Sequence, residues 1–64
     1  MGSRIRRLRQ ERALNQDELA EMAGITAVHL GRIERGTSYP RPRTRRYLAE
    51  ALGVDPKELI REDG

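Results

Sequence analysis

Sixty-four residues make one small domain whose core is marginal, so that every buried leucine counts. Cys, Phe and Trp are absent, which excludes disulfides and thiolate metal sites and fits a reducing cytoplasm without establishing one. No apolar run approaches the roughly 18 residues of a membrane span, and no secretory signal is visible.

The net charge of +3 conceals an alternation of sign. Residues 1–12 carry five Arg against Glu11, a net of +4, and residues 31–47 carry six Arg against Glu34, a net of +5. Residues 13–30 and 48–64 each come to −3. Basic blocks of this kind attract a phosphate backbone. Twelve of the thirteen basic residues are Arg, Lys57 being the exception. Bidentate phosphate binding and a GC-rich genome account equally well for that bias.

Ser3 is placed to cap a first helix of about ten residues, with Ile5 and Leu8 on one face. Arg4, Arg6, Arg7 and Arg12 are then expected to point largely to solvent. After the Ala13-Leu14 connection, Asn15 opens a second helix with Glu18 three residues on, a capping-box spacing. Leu19, Met22 and Ala23 form its apolar stripe, and Gly24 ends it as a left-handed stop. Thr26 caps a third helix that runs to about Arg35, with Leu30 and Ile33 inward and Gly36 as terminator. Pro40 and Pro42 make the stretch from Thr37 to Arg43 an irregular basic loop. A fourth helix is expected over about Thr44–Leu52, burying Leu48, Ala51 and Leu52 ahead of the stop at Gly53. Asp55-Pro56-Lys57-Glu58 supplies a cap, an N1 proline and an N3 glutamate for a final helix held by Leu59 and Ile60. The expected class is all-α: five short helices in a single domain spanning residues 1–64, with no strand, repeat or low-complexity segment.

The second and third helices, NQDELAEMAGITAVHLGRIERG from Asn15 to Gly36, have the form that lets one helix enter the major groove of duplex DNA. With LRQERAL before them and YLAEALGV after, the chain resembles the lambdoid phage repressor and Cro type of helix-turn-helix domain, also called the xenobiotic-response-element type. The resemblance runs from about Arg4 to Ile60 and is specific because separate requirements coincide. Ala20 is small where the two helices cross, Gly24 turns, Ile25, Leu30 and Ile33 are apolar, and Glu34-Arg35-Gly36 closes the unit. It implies a compact five-helix, lambda-repressor-like fold with the helix-turn-helix at helices 2 and 3.

The resemblance also assigns roles. Gln16 binds a phosphate at the start of helix 2. Arg9 and Glu34 form a partly buried ion pair joining helix 1 to the end of helix 3, a structural role. The base-facing positions fall on Ala27, Val28 and Arg32, with His29 nearby as a phosphate contact, a base contact or simply an exposed side chain. Arg32 can give a bidentate contact to guanine O6 and N7, and Val28 a methyl contact to thymine. Ala27 departs from the frequent Gln at that position, which shifts weight to DNA shape and phosphate contacts. Arg43 corresponds to an arginine that approaches a compressed minor groove, with Arg35, Thr37, Ser38, Tyr39, Arg41 and Arg46 beside it as phosphate partners. Arg45 stands where relatives have an apolar or small residue. Ala13 replaces a frequent helix-ending Gly and, at positive φ, would cost on the order of 1 kcal/mol. Gly31 costs about 1 kcal/mol relative to Ala; close approach to DNA and a neutral small position explain it equally well.

The leading function is therefore sequence-specific binding of double-stranded DNA by a transcription regulator acting as a repressor, located in the cytoplasm on the nucleoid of a prokaryote or phage-infected cell. An antitoxin or coactivator-like adaptor using the same fold to bind protein is the alternative, and a domain from a larger regulator is a third. Met1-Gly2-Ser3 fits a native start or an expression remnant. A homodimer on a pseudo-palindromic site is the form the resemblance implies. No heptad specifies one, so a monomer or weak dimer that pairs on DNA is expected, with Leu59, Ile60 and the acidic C-terminal stretch as a weak contact surface. No enzyme, metal, cofactor, small-molecule or membrane role is expected: there is one His, no phosphate-cradling loop and no metal-ligand spacing.

Overall fold

The computed structural model describes residues 1–60; the end of the acidic stretch considered for dimer contacts lies outside the described residues. Five helices follow in order: α1 Gly2–Glu11, α2 Gln16–Ala23, α3 Ala27–Arg35, α4 Pro42–Leu52 and α5 Pro56–Leu59. None is long and apolar enough to cross a membrane. Ile5, Leu19, Leu30, Ile33, Leu48, Leu52 and Leu59 are the large, fully buried side chains, so every helix contributes to one core. Each such burial is worth about 1.5–3 kcal/mol, and in so small a domain none is redundant.

Ser3 does not cap α1. The helix already begins at Gly2, with Met1 at the N-cap and no side-chain cap; the Met1 carbonyl accepts from the Ile5 amide at 3.0 Å. The reason is close packing. A Cβ on Gly2 would stand 2.6 Å from the Glu34 carbonyl oxygen and nearer still to that of Ile33. Only glycine lets the start of α1 rest on the end of α3 in this way.

Arg4 is half-buried rather than turned to solvent, and Arg12, though exposed, is tied down by its guanidinium. Arg12 donates from Nε to the Leu52 carbonyl at 2.6 Å and from Nη1 to the Leu8 carbonyl at 3.0 Å. Arg4 donates from Nε to the Glu58 carbonyl at 2.7 Å and pairs through Nη2 with the Glu58 carboxylate at 3.0 Å. Both ends of α1 are thereby fastened to the C-terminal part of the domain. Between α1 and α2, Ala13 has a φ of 55°, the left-handed region that favours glycine.

Three packing assignments change as well. Met22 is 54% exposed and Ile60 44% exposed, whereas Ala49 is buried and Ala51 only flanks the core. Helical period places Ala49 and Ala51 equally far to either side of the Leu48–Leu52 line, and the core lies on the Ala49 side. Finally, α4 begins at Pro42 rather than Thr44. Pro42 occupies the helix's first turn, where its missing amide leaves no hydrogen bond unmade and its fixed φ suits the helix.

Candidate nucleic-acid interface

The sequence dictates the α2–α3 unit locally. Asn15 Oδ1 accepts from the Glu18 amide at 2.7 Å, and the Glu18 carboxylate accepts from the Asn15 amide at 2.8 Å, a complete capping box. Gly24, at φ 71°, ends α2, and the Ile25 amide returns to the Ala20 carbonyl at 3.0 Å. Thr26 Oγ1 then accepts from the His29 amide at 3.0 Å and starts α3. A stop and a cap within three residues fix the angle between the helices.

Leu30, Ile33 and Glu34 form the core-facing side of α3, while Gly31 is buried beneath the Arg35 side chain. Val28, 66% exposed, lies on the opposite side with Arg32 and Arg35, which are exposed. Their spacing of four and three residues makes one outward stripe. Ala27 is half-buried and packs against the core, so only part of its methyl is accessible. His29, also half-buried, flanks the stripe.

Glu34 is the organising acceptor. Its side chain has no solvent exposure and receives Arg9 Nε at 2.8 Å, Arg9 Nη2 at 3.1 Å and Gln16 Nε2 at 3.1 Å. Arg9 also donates from Nη1 to the Leu14 carbonyl at 2.9 Å. One carboxylate therefore holds α1, α2 and α3 in register through a fork-to-carboxylate pair. Gln16 is part of this scaffold through one amide hydrogen, while its other hydrogen and its oxygen remain available.

Arg35 is the last residue of α3. Its guanidinium lies over Gly31, and together Gln16, Ala27, Val28, Gly31 and Arg35 line a shallow depression on the outward face. Beyond Gly36, at φ 82°, the Arg32 carbonyl accepts from the Thr37 amide at 2.9 Å, the Ser38 amide at 3.3 Å and Thr37 Oγ1 at 3.1 Å. The Thr37 hydroxyl thus helps to close α3 while remaining exposed at the surface. Ser38 is half-buried, Tyr39 is 67% exposed, and Arg41 stands at the N-cap of α4. Arg43 and Arg46, one turn apart on α4, are exposed; Arg45 is half-buried beside them.

The two basic blocks end in different states. Arg4, Arg9 and Arg12 of the first are engaged by carboxylates and carbonyls. No ion pair or side-chain hydrogen bond to the described residues engages Arg32, Arg35, Arg41, Arg43, Arg45 or Arg46 of the second. Reading of the sequence missed Arg4 and Arg12 because two of their acceptors are main-chain carbonyls on distant helices, which leave no residue signature. It also missed Arg6, whose Nε lies 3.7 Å from Glu34 Oε1; its place three residues before Arg9 was the available signal.

This is an all-α domain of the repressor and Cro class, with a capped helix pair presenting an unpaired cationic stripe. A family model described as "Helix-turn-helix domain" matches residues 1–61, and the chain belongs to that family. It is 40% identical over 60 residues to the uncharacterized HTH-type transcriptional regulator y4dJ of Sinorhizobium fredii (strain NBRC 101917 / NGR234), covering 94% of this chain and 78% of that one. It is 39% identical over 64 residues to the HTH-type transcriptional repressor RghR of Bacillus subtilis (strain 168), covering 98% of this chain but 47% of the repressor. The crystal structure of the P22 c2 repressor in complex with synthetic operator 9T superposes with a TM-score of 0.91 at 31% identity, over 97% of this chain and 94% of that one. The family is one of DNA-binding transcription regulators, not an enzyme class.

Proposed function

We propose that the chain, as a single domain of residues 1–64, binds duplex DNA sequence-specifically and represses transcription by laying α3 in the major groove. Arg32 reads guanine and Val28 a thymine methyl, with Ala27 and His29 at the margins of the reading surface. Gln16, Arg35, Thr37, Ser38, Tyr39, Arg41, Arg43 and Arg46 hold phosphates and set the register. Two copies pair on a pseudo-palindromic site about one helical turn apart. The protein does no chemistry on its DNA and acts in the cytoplasm, on the nucleoid. The operator-bound P22 c2 repressor, alike over nearly its whole length, supports this reading.

The observation that carries it is the segregation of charge. Six arginines without a partner among the described residues surround the outward face of α3 and the start of α4, whereas Arg4, Arg9 and Arg12 of α1 and its C-cap are held by carboxylates and carbonyls. Unpaired like charges repel, so their clustering needs a polyanion as its counterpart. Selection of bound sites from random duplexes, followed by affinity measurements between roughly 50 and 200 mM salt, tests the reading. With about five or six phosphates neutralised per copy, log K should fall with log salt at a slope near −5. A slope shallower than about −2, or no enriched sequence, overturns the proposal.

A further inference from the structure

Arg6 lies outside the helix pair, yet it shares the Glu34 carboxylate with Gln16. Arg6 Nε is 3.7 Å from Glu34 Oε1, and Gln16 Nε2 donates to the same oxygen at 3.1 Å. The distance to Arg6 is too long for a hydrogen bond. Glu34 already accepts two hydrogen bonds from Arg9 and one from Gln16, so Arg6 is attracted electrostatically without being held. Its side chain is 51% exposed and its terminal nitrogens donate to nothing among the described residues.

From these contacts we infer that Arg6 is a phosphate-positioning residue of α1 and grips the same backbone phosphate as Gln16. The inference rests on the DNA-binding reading above. Two nitrogens that share an acceptor at 3.1 and 3.7 Å stand no more than about 7 Å apart. One phosphate, with two oxygens each accepting at about 2.7–2.9 Å, spans such a gap. Charge points the same way. Arg6 and Arg9 together exceed the single charge of the Glu34 carboxylate they face by one, with Asp17 and Glu18 the other charges in the first turn of α2. Releasing Arg6 from Glu34 forfeits no hydrogen bond, whereas moving Arg9 would break three. Arg9 therefore stays as the anchor of the fold and Arg6 turns to the DNA.

The test uses the full chain on its selected duplex, with Arg6→Ala, Arg6→Lys, Gln16→Ala and the Arg6→Ala/Gln16→Ala double variant. Arg6→Ala should weaken binding about five- to tenfold near 100 mM salt and make the salt slope shallower by about 0.9, with the preferred sequence unchanged. Arg6→Lys should restore the slope, because the charge returns. Neutral methylphosphonate linkages are then placed one at a time along the duplex. At one position the wild type should lose affinity and the Arg6→Ala variant should not, and Gln16→Ala should lose its own effect at that same position. An unchanged slope in Arg6→Ala, with Arg43→Ala still lowering it, refutes the role of Arg6 while leaving DNA binding intact. Effects of Arg6 and Gln16 that vanish at different linkages refute the shared phosphate. A wild type that binds no duplex removes the DNA-binding reading and this inference with it. Circular dichroism melts of the Arg6 variants should match the wild type, and a fall in Tm that accounts for the lost binding would also overturn the proposal.

Discussion

Replacing Glu34 with alanine should unfold much of what the Arg9 pair holds together, and the size of the effect follows from the contacts. The carboxylate is fully buried and accepts two hydrogen bonds from Arg9 and one from Gln16. Its loss strands the Arg9 guanidinium, whose side chain is 11% exposed, with only the Leu14 carbonyl as partner. Breaking a buried pair by removing one member costs about 3–5 kcal/mol. The surviving bond to Leu14 and the partial solvent access of Arg9 place this case at about 3 kcal/mol. A domain of this length has a total stability of roughly 3–10 kcal/mol, so the variant approaches the limit of folding. Its Tm should drop by about 12–24 °C. Replacing both partners with apolar residues, Arg9→Met with Glu34→Leu, should cost less than about 1 kcal/mol relative to wild type. Urea unfolding followed by circular dichroism measures both values at unchanged m. If Glu34→Ala costs under about 1 kcal/mol, or the apolar double variant costs as much as the single, the pair is not the latch described.

Two further outcomes follow. Arg32→Ala should lower affinity by about 1–3 kcal/mol and relax the preference at one base pair, while Arg43→Ala should weaken all sequences alike and reduce the salt slope by about 0.9. Binding selections with each variant decide this: an unchanged preferred sequence for Arg32→Ala removes it from the reading surface. Ala13→Gly should stabilise the fold by about 0.5–1 kcal/mol, because φ 55° strains alanine and suits glycine. A thermal melt reads it, and a lower Tm would show that the flexibility glycine gives the unfolded chain outweighs the relief of strain.

Most of the architecture was readable because local rules and packing agreed. Asn15 with Glu18, the glycines at 24, 36 and 53, and Asp55-Pro56 each act through chemistry within a few residues, and all stand where the pattern put them. The misses share a different physics. Pro42 has two meanings, loop breaker or helix starter, and the choice depends on where the chain leaves α3. Gly2 looked like an inconsequential start because the carbonyls it rests on belong to residues more than thirty positions away. Arg12 and Arg4 looked solvated because the main-chain oxygens of Leu52 and Glu58 carry no sequence signal. At the interface, the outward placement of Val28 and Arg32 followed from helical period, but the hydrogen bond from the Thr37 hydroxyl to the Arg32 carbonyl did not. That depends on the three-dimensional closure of a helix end.

The arginine bias itself resolves into two kinds of requirement. Arg9 uses three nitrogens on three acceptors, Arg12 joins the Leu52 and Leu8 carbonyls, and Arg4 joins a carbonyl to a carboxylate. A lysine is a single point charge and cannot reproduce such planar, multidentate links, so in α1 the guanidinium is needed for its shape. Around α4 no intramolecular geometry of that kind constrains Arg41, Arg43 and Arg46 among the described residues, and phosphate accepts lysine as a point charge as well as arginine. Base composition is therefore an adequate reason for arginine only at Arg41, Arg43 and Arg46. In the first, the same side chain replaces hydrophobic core that so short a chain lacks, by fastening helix ends to one another. Arg6 stands between these regimes. It is drawn to the Glu34 latch at 3.7 Å without being bound by it, which leaves its charge to offer the DNA.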